Sequence, residues 1–530
     1  MIVYLYKDST MVEITFIDQK PFEKETSLFN SVLGEAPSPG ILQLQAILEE
    51  DGHKIHIATA SSLKDVDCAL KDHPNTDFVC ISCFTNTSID AYKTAIYVKK
   101  RYDLNTLIGG CHVTFMPLEA IQYVDVVFVG EAELTLPKFL NEAKKSGWPK
   151  RKKERIIGAL FDKNGIRPDP KYMVKNLDDL PYPKFHSFKE ENLPFPLNKI
   201  GEKILPPRVR IVSSRGCPFA CEFCQSSRMG GIAWRSNSAD YLTELIKTYI
   251  DKGVKLVAFV DDNFTLSTKR VVEICRNIEQ EGLDFMWGCL SRPDWVAKHP
   301  DIFRRMVRCG CKIIYMSAES CSDDVLRGYK KGTKVDVVKR AFNIVSDYPD
   351  VLYIGSIILG AYNDTQETLN GSIEYLKKLN PHLAQFSILT PYPGTPIYNR
   401  FLAENRIISF NWSDYTCEKP VFDHPIMDND YIQKRFYDAY FEYYSRTVWQ
   451  DKIKGLELSG NLLPLIPKYI KNRLFYSLIF RTAKKKILEH ITCSKKNFEE
   501  NLFTSKISPS FELNAFLSNL RENNKQVYRA

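Results

Sequence analysis

The feature that most restricts the fold is an alternation, repeated in two long runs, of short apolar stretches with longer amphipathic ones. In residues 1 to about 145 the candidate strands are Val12 to Ile17, Lys54 to Ala58, Phe78 to Cys83, Leu107 to Gly109 and Val124 to Val129, with helical patterns between them. Strands that return through a helix pair in parallel, so this run predicts an α/β, doubly wound, flavodoxin-like sheet. Its first helix opens at Ser38-Pro39-Gly40, with Pro39 in the first turn, and stops at Asp51-Gly52. The second run spans Arg208 to about Arg400, with strands at Val209 to Val212, Val254 to Val260, Phe285 to Leu290, Lys312 to Met316, Leu352 to Leu359 and Leu383 to Leu389. Eight strand-helix units would close a barrel, and the six here predict a partial (β/α)6 barrel. Ser238 is placed to cap its first helix, which stops at Gly253, and Asp364 with Glu367 to form a capping box for the fifth.

The divisions follow from composition: a first domain over 1–145, a linker over 146–201, the barrel over 202–400 and a helical C-terminal region over 401–530. Within the linker, PKRKKER reads as a solvated charge run, IIGALFDKNGIRPDP as a hairpin turning at Asn164-Gly165, and the prolines after Leu177 as an extended crossing. Tyr431 to Trp449 reads as an aromatic-rich helix packed against the barrel. A length of 530 residues with 44% hydrophobic residues supports several cores. The start, MIVYLYKDSTMVE, lacks the basic lead of a signal peptide, and 14 cysteines without one point to a reducing, cytoplasmic setting. A net charge of +8 is too small for this length to argue for nucleic acid, and no apolar run approaches the ~20 residues of a membrane span.

The chemistry is concentrated directly after the first barrel strand. In RGCPFACEFCQ, Cys217, Cys221 and Cys224 stand at C-x3-C-x2-C spacing. Thiolates are the soft ligands an iron-sulfur unit needs, whereas zinc would want a fourth ligand nearby, and the next cysteine, Cys275, lies in a helical pattern. A 4Fe-4S cluster on three cysteines leaves one iron open to a reactant. This stretch resembles that of the S-adenosylmethionine radical enzymes. The resemblance implies that the open iron chelates the amino and carboxylate groups of S-adenosylmethionine and that an electron from the cluster releases a 5'-deoxyadenosyl radical. It also implies a six-unit barrel whose gap admits large substrates.

Active residues of such barrels sit at the carboxyl ends of the strands, and the resemblance implies that these ends contact S-adenosylmethionine. Asp261 or Asp262 would meet its ammonium, Glu319 its ribose and Phe223 its adenine neighbourhood, with Ser317 and Gly360 as further contacts at the fourth and fifth strand ends. Acidic residues in such places also cap helices. Arg292, at the third strand end, has the fork that holds carboxylate or phosphate, and it serves structure equally well. The prolines and glycine of TPYPGTPIY are accounted for by turn chemistry.

The first run carries a second resemblance. SPGILQLQAILEEDGHKI, IGGCHVTFMPLEAIQ and VDVVFVGEAELTLPKFL are similar to the cobalamin-binding domain that precedes the radical domain in one large subfamily. It implies a cobalamin site at Pro39, Ser82, Thr85, Gly109, Gly110, Gly130 and Glu131, where glycines permit close approach of a bulky ligand. Many cobalamin proteins place an axial histidine in D-x-H-x-x-G after the first strand. The first histidine here is His53, past the first helix, so the lower face of the corrin should lack a protein histidine.

The implied activity is methylation of an unactivated carbon. Radical cyclisation, rearrangement or oxidation, and methylthiotransfer, are the competing outcomes, with a cobalamin- or cluster-based sensor as the non-enzymatic one. Cys80, Cys83, Cys111, Cys309, Cys311 and Cys321 invite a second cluster, but Cys80 and Cys83 have opposite parity on one strand and Cys311 lies in an apolar run, so they read as small buried hydrophobes. The partners implied are a small-molecule or lipid-like substrate and an electron donor such as flavodoxin or ferredoxin. Between Tyr469 and Leu488, Ile470, Leu474, Leu478 and Ile479 recur at helical spacing among Lys471, Arg473, Arg481 and Lys484 to Lys486, a pattern that also suits peripheral contact with anionic lipid.

Overall fold

The computed structural model describes residues 11–22, 37–145, 155–162, 165–185, 207–229, 234–444, 491, 492 and 495. The first run forms a parallel sheet of β1 (Glu13–Gln19), β2 (Lys54–Ala60), β3 (Phe78–Ser82), β4 (Asn105–Gly109), β5 (Val126–Phe128) and β6 (Arg155–Ile157), in the order β2-β1-β3-β4-β5-β6. Strand order reverses between β1 and β3, which opens a crevice at their carboxyl ends. One face packs Phe16, Phe78, Cys80 and Phe128; the other packs Val79, Ile81, Cys83 and Ile108. Cys80 and Cys83 thus face opposite ways, as their parity requires. β6 follows the PKRKKER run and pairs with β5, so the sheet gains a strand where the sequence shows mainly charge. The hairpin strands β7 (Ala159–Asp162) and β8 (Gly165–Pro168) pair antiparallel.

The second run forms a parallel sheet of β9 (Arg208–Ile211), β12 (Leu256–Phe259), β13 (Met286–Leu290), β14 (Cys311–Glu319), β15 (Leu352–Leu359) and β16 (Leu383–Ile388), each beside its sequence neighbour. Two short strands, β10 (Ser214–Arg215) and β11 (Arg235–Ser236), pair across the loop that carries the cysteines. Sequential, parallel strands with helices outside make the open barrel. β14 runs through Ser317 to Glu319, three residues past the apolar stretch that marks it.

An open barrel has an edge, and an unpaired edge strand invites association. Here the helix Asn429–Tyr443 covers β16 with tyrosines. Tyr440 Oη donates to the Phe386 carbonyl at 2.9 Å and accepts from its N–H at 3.1 Å, while Tyr444 Oη does the same at Ala384, at 2.9 and 3.0 Å. The phenols supply the bonds that a seventh strand would make. As far as Tyr444 the aromatic helix therefore packs on the barrel, as its sequence suggests, and residues 445–449 of the expected helix lie outside the described residues.

Ser238 accepts from Tyr241 N–H as the cap of helix Ala239–Asp251. The fifth helix departs from expectation. Its capping box is Thr365 with Thr368, because the helix begins at Gln366, and Asp364 turns back to the Ala361 N–H and the Thr368 hydroxyl. The basic amphipathic stretch from Tyr469 to Leu488 lies outside the described residues, among which no helix is long and apolar enough to cross a membrane.

Candidate functional site: a cysteine loop facing an interdomain cavity

The loop bearing Cys217, Cys221 and Cys224 leaves the carboxyl end of β9 and is fastened from three other strand ends. Arg292, after β13, lays its guanidinium on the Phe219 ring at 3.7 Å. After β14, the Tyr329 carbonyl accepts the Glu222 N–H at 3.0 Å and Lys330 pairs with Glu222 at 2.7 Å. After β16, the Pro393 carbonyl accepts from Gln225 at 2.9 Å. The three thiols lie within one another's electrostatic reach, Cys217 also beside Asp262 and Cys221 beside Lys331, Arg292 and Glu319. Burial pushes the Cys217 and Cys221 thiols up, and Lys331 with Arg292 opposes this at Cys221. Arg292, left open between ligand and structure by the sequence, is engaged by Phe219, Asp294 and the Lys331 carbonyl.

The structure separates the two aspartates that sequence treats alike. Asp261 is 1% exposed and accepts from the Ser213 N–H and hydroxyl, both at 2.6 Å, and from the Ser214 hydroxyl at 2.7 Å. Arg270 in turn donates to the Ser213 hydroxyl at 2.7 Å. The Asp261 carboxylate is committed to the barrel wall and is not placed to meet an ammonium. Asp262 is exposed at the mouth, where surrounding protein still pushes its carboxyl up against the Ser226 hydrogen bond.

At the end of β14, Glu319 adopts a left-handed backbone, φ +63°, and pairs with Lys331 at 2.6 Å, both side chains under a tenth exposed. Non-glycine residues held this way tend to serve a site. Lys331 was not legible as a site residue, although three lysines in the short GYKKGTK stretch are a signal that one of them turns inward. Ser317 is half-buried on β14, and Phe223 packs edge-on against Tyr329 at 4.9 Å. Gly360, φ +74°, faces Ile432 of the covering helix, 3.3 Å from where a Cβ would stand.

Between the two sheets lies a cavity of about 360 Å³, lined by Pro39 at the start of the helix Pro39–Glu50, by Ser82 and Gly109 of the first sheet, and by Val209 to Val212 and Arg215 of the barrel. Phe84 and Val212 line it with 53% and 37% of their surface uncovered, as apolar groups awaiting a large flat ligand would be. Gly109 lines it with no protein atom nearer than 3.9 Å to the position of a Cβ. These features fit a corrin. Gly110 and Gly130 line the cavity too, and their backbones also require glycine: Gly110, φ +124°, would place a Cβ 2.2 Å from the Cys83 carbonyl oxygen, and Gly130, φ +79°, would place one 2.9 Å from Pro168. Thr85 is buried behind Phe84 and does not line the cavity. Among the described residues no histidine lines it either. His112 is wholly buried against Glu119 and the edge of Trp412, and the Nδ1 of His53 accepts from the Val12 N–H.

A contrast follows from the glycines. Gly109→Val should leave the unfolding transition within a few degrees of the parent and abolish cobalamin uptake in a spectral titration. Gly110→Ala should lower stability by about 1–3 kcal/mol through backbone strain, read in the same unfolding measurement.

Glu131 lines the cavity, as the cobalamin resemblance implies, and its carboxylate is also a fastener between the two sheets. It receives Arg235 Nη1 at 3.0 Å and Arg215 at 3.3 Å, while Arg215 also meets Glu133 at 2.7 Å. Burial raises the Glu131 carboxyl, and the Arg235 and Arg215 contacts outweigh it, holding the group below the usual carboxylate range. Arg215 lies two residues before Cys217, so the cysteine loop is tied directly to the cobalamin-type sheet. On the far side of the loop, Gly394 of TPYPGTPIY, φ +83°, sits against Phe115 so closely that a Cβ would fall 2.1 Å from its ring. That glycine serves the domain contact as well as the turn.

Comparison with known proteins agrees with this geometry. The family described as the Radical SAM superfamily matches residues 211–376, and that described as the B12 binding domain matches residues 26–140. A protein of Pyrococcus horikoshii named as an uncharacterized methyltransferase is 31% identical over 441 residues, covering 79% of this chain and 90% of its own. The chain belongs to the cobalamin-binding radical S-adenosylmethionine enzymes. Its cofactors are accordingly a 4Fe-4S cluster, S-adenosylmethionine and cobalamin. The bacteriochlorophyllide d C-12(1)-methyltransferase of Chlorobaculum tepidum is 22% identical, covering 74% of this chain and 80% of its own. Among solved structures, the cobalamin-dependent radical enzyme OxsB has the same fold, with a TM-score of 0.60 at 14% identity, over 97% of this chain and 84% of that one.

Proposed function

We propose that this radical S-adenosylmethionine enzyme methylates an unactivated carbon of a small, lipid-like molecule. The observation that carries the reading is the junction of the two cofactor regions: Arg215 lines the cobalamin-type cavity and stands two residues from Cys217. A substrate in the barrel mouth then lies between the groups that would activate it and the group that would methylate it. The names of the Pyrococcus and Chlorobaculum relatives, both methyltransferases, support the reading.

Cys217, Cys221 and Cys224 would hold the cluster, and the loop contacts from Arg292, Lys330 and Pro393 keep the three thiols converged. Asp262 would meet the ammonium of S-adenosylmethionine, and Glu319, steadied by Lys331, its ribose, with Ser317 on the same strand and Phe223 toward the adenine. Pro39, Ser82 and Gly109 would hold cobalamin without a histidine beneath it. When bound, these cofactors would supply a 5'-deoxyadenosyl radical and a transferable methyl group. The electron would come from a flavodoxin- or ferredoxin-type donor.

Turnover of a cell extract with S-adenosylmethionine carrying a deuterated methyl group tests this. The expected result is 5'-deoxyadenosine together with a product that contains the labelled methyl. A product without the label, formed alongside 5'-deoxyadenosine, would replace methylation by cyclisation, rearrangement or oxidation.

A further inference from the structure

A buried hydroxyl stands at the barrel mouth without a partner among the described residues. Tyr329 is 3% exposed, and its Oη has no hydrogen-bond partner among the described residues. Its ring meets Phe223 of the cysteine loop, and its hydroxyl lies in the field of Asp364 and Glu319, which follow β15 and end β14. Neither carboxylate takes the proton. Glu319 is paired with Lys331 at 2.6 Å, and Asp364 accepts the Ala361 N–H at 3.0 Å and the Thr368 hydroxyl at 2.7 Å. A buried polar group left unpaired is costly, and phenylalanine would fill the same space without that cost. A tyrosine here is therefore explained by a partner that arrives from outside the chain, at the meeting point of the cysteine loop and the fourth and fifth strand ends.

We propose that the Tyr329 hydroxyl donates a hydrogen bond to the adenosyl part of S-adenosylmethionine, at a ribose oxygen or an adenine nitrogen. This rests on the assignment of Phe223 and Glu319 to that cofactor. Burial, and then the two carboxylates, keep the phenol protonated at working pH, so it acts as a donor. It is a binding residue that neither motif spacing nor strand-end position reveals, since it lies ten residues beyond Glu319 at the end of the helix Asp323–Gly328.

The test uses Tyr329→Phe in the full chain, reconstituted anaerobically. Affinity for S-adenosylmethionine and for S-adenosylhomocysteine is measured by calorimetry, with iron content and the unfolding midpoint of the ligand-free protein alongside. The expected result is unchanged iron, a midpoint equal to or above the parent, and both ligands bound about five- to tenfold more weakly. Affinities within twofold of the parent would overturn the proposal and leave the hydroxyl to a buried water. A midpoint several degrees lower would also overturn it, since the hydroxyl would then serve the fold. If the parent bound neither ligand, the assignment of Phe223 and Glu319 would fall, and this proposal with it.

Discussion

Replacing any one of Cys217, Cys221 or Cys224 with alanine should reduce cleavage of S-adenosylmethionine to background. Each variant should also lose iron and sulfide after anaerobic reconstitution. The reasoning is one of ligand number: three thiolates are the fewest that hold a cubane while leaving one iron open, and among the described residues no further cysteine acts on the Cys217 or Cys221 thiol. Cys309 and Cys311 are buried on the barrel's outer side, where the Cys309 thiol lies against the Cys275 carbonyl and Glu279. They supply the control, because Cys309→Ala and Cys311→Ala should keep full iron content even if stability drops by the ~1 kcal/mol typical of a small core truncation. Retained cleavage in the three loop variants would remove the cluster assignment, and loss of iron in the two controls would point to a second cluster.

The parts of the fold that were legible in the sequence are those governed by short-range pattern. Strands such as Leu352–Leu359, β-branched and bounded by turn residues, appear where their apolar runs lie, and the crossover helices impose the parallel order. β6 escapes because three residues, Arg155 to Ile157, are too few to show a period beside a charge run. The cysteine spacing is local and was readable as it stands. What could not be read is the partner of each remaining polar group. Trp412 donates to both oxygens of Glu119, at 3.0 and 3.1 Å, across 293 residues, and Arg235 reaches Glu131 across 104. Sequence shows an acid at a strand end; only the fold shows whether its oxygens are already taken, and at Glu131 and Asp261 they are.

That distinction is sharpest for the adjacent pair at the end of β12, where two substitutions one residue apart should have opposite consequences. Asp261→Ala removes a buried acceptor of three hydrogen bonds and leaves Arg270, 5% exposed, beside uncompensated hydroxyls. Removing one member of a buried charged network costs about 3–5 kcal/mol, which for a domain of this size lowers the unfolding midpoint by roughly 10 °C. Asp262→Ala removes an exposed carboxylate that its surroundings already disfavour in charged form, so stability should stay within about 0.5 kcal/mol of the parent. Its effect should fall on the cofactor instead. A charged hydrogen bond to the ammonium is worth about 1.5–3 kcal/mol, so S-adenosylmethionine should bind about ten- to a hundredfold more weakly. S-adenosylhomocysteine, which carries the same ammonium, should weaken in parallel, and adenosine should not weaken at all. Calorimetry on the two reconstituted variants, with a thermal scan of each, separates the roles. If Asp262→Ala binds S-adenosylmethionine as the parent does while a folded Asp261→Ala does not, the ammonium is held by Asp261, and the wall network around Ser213 must open when the cofactor binds.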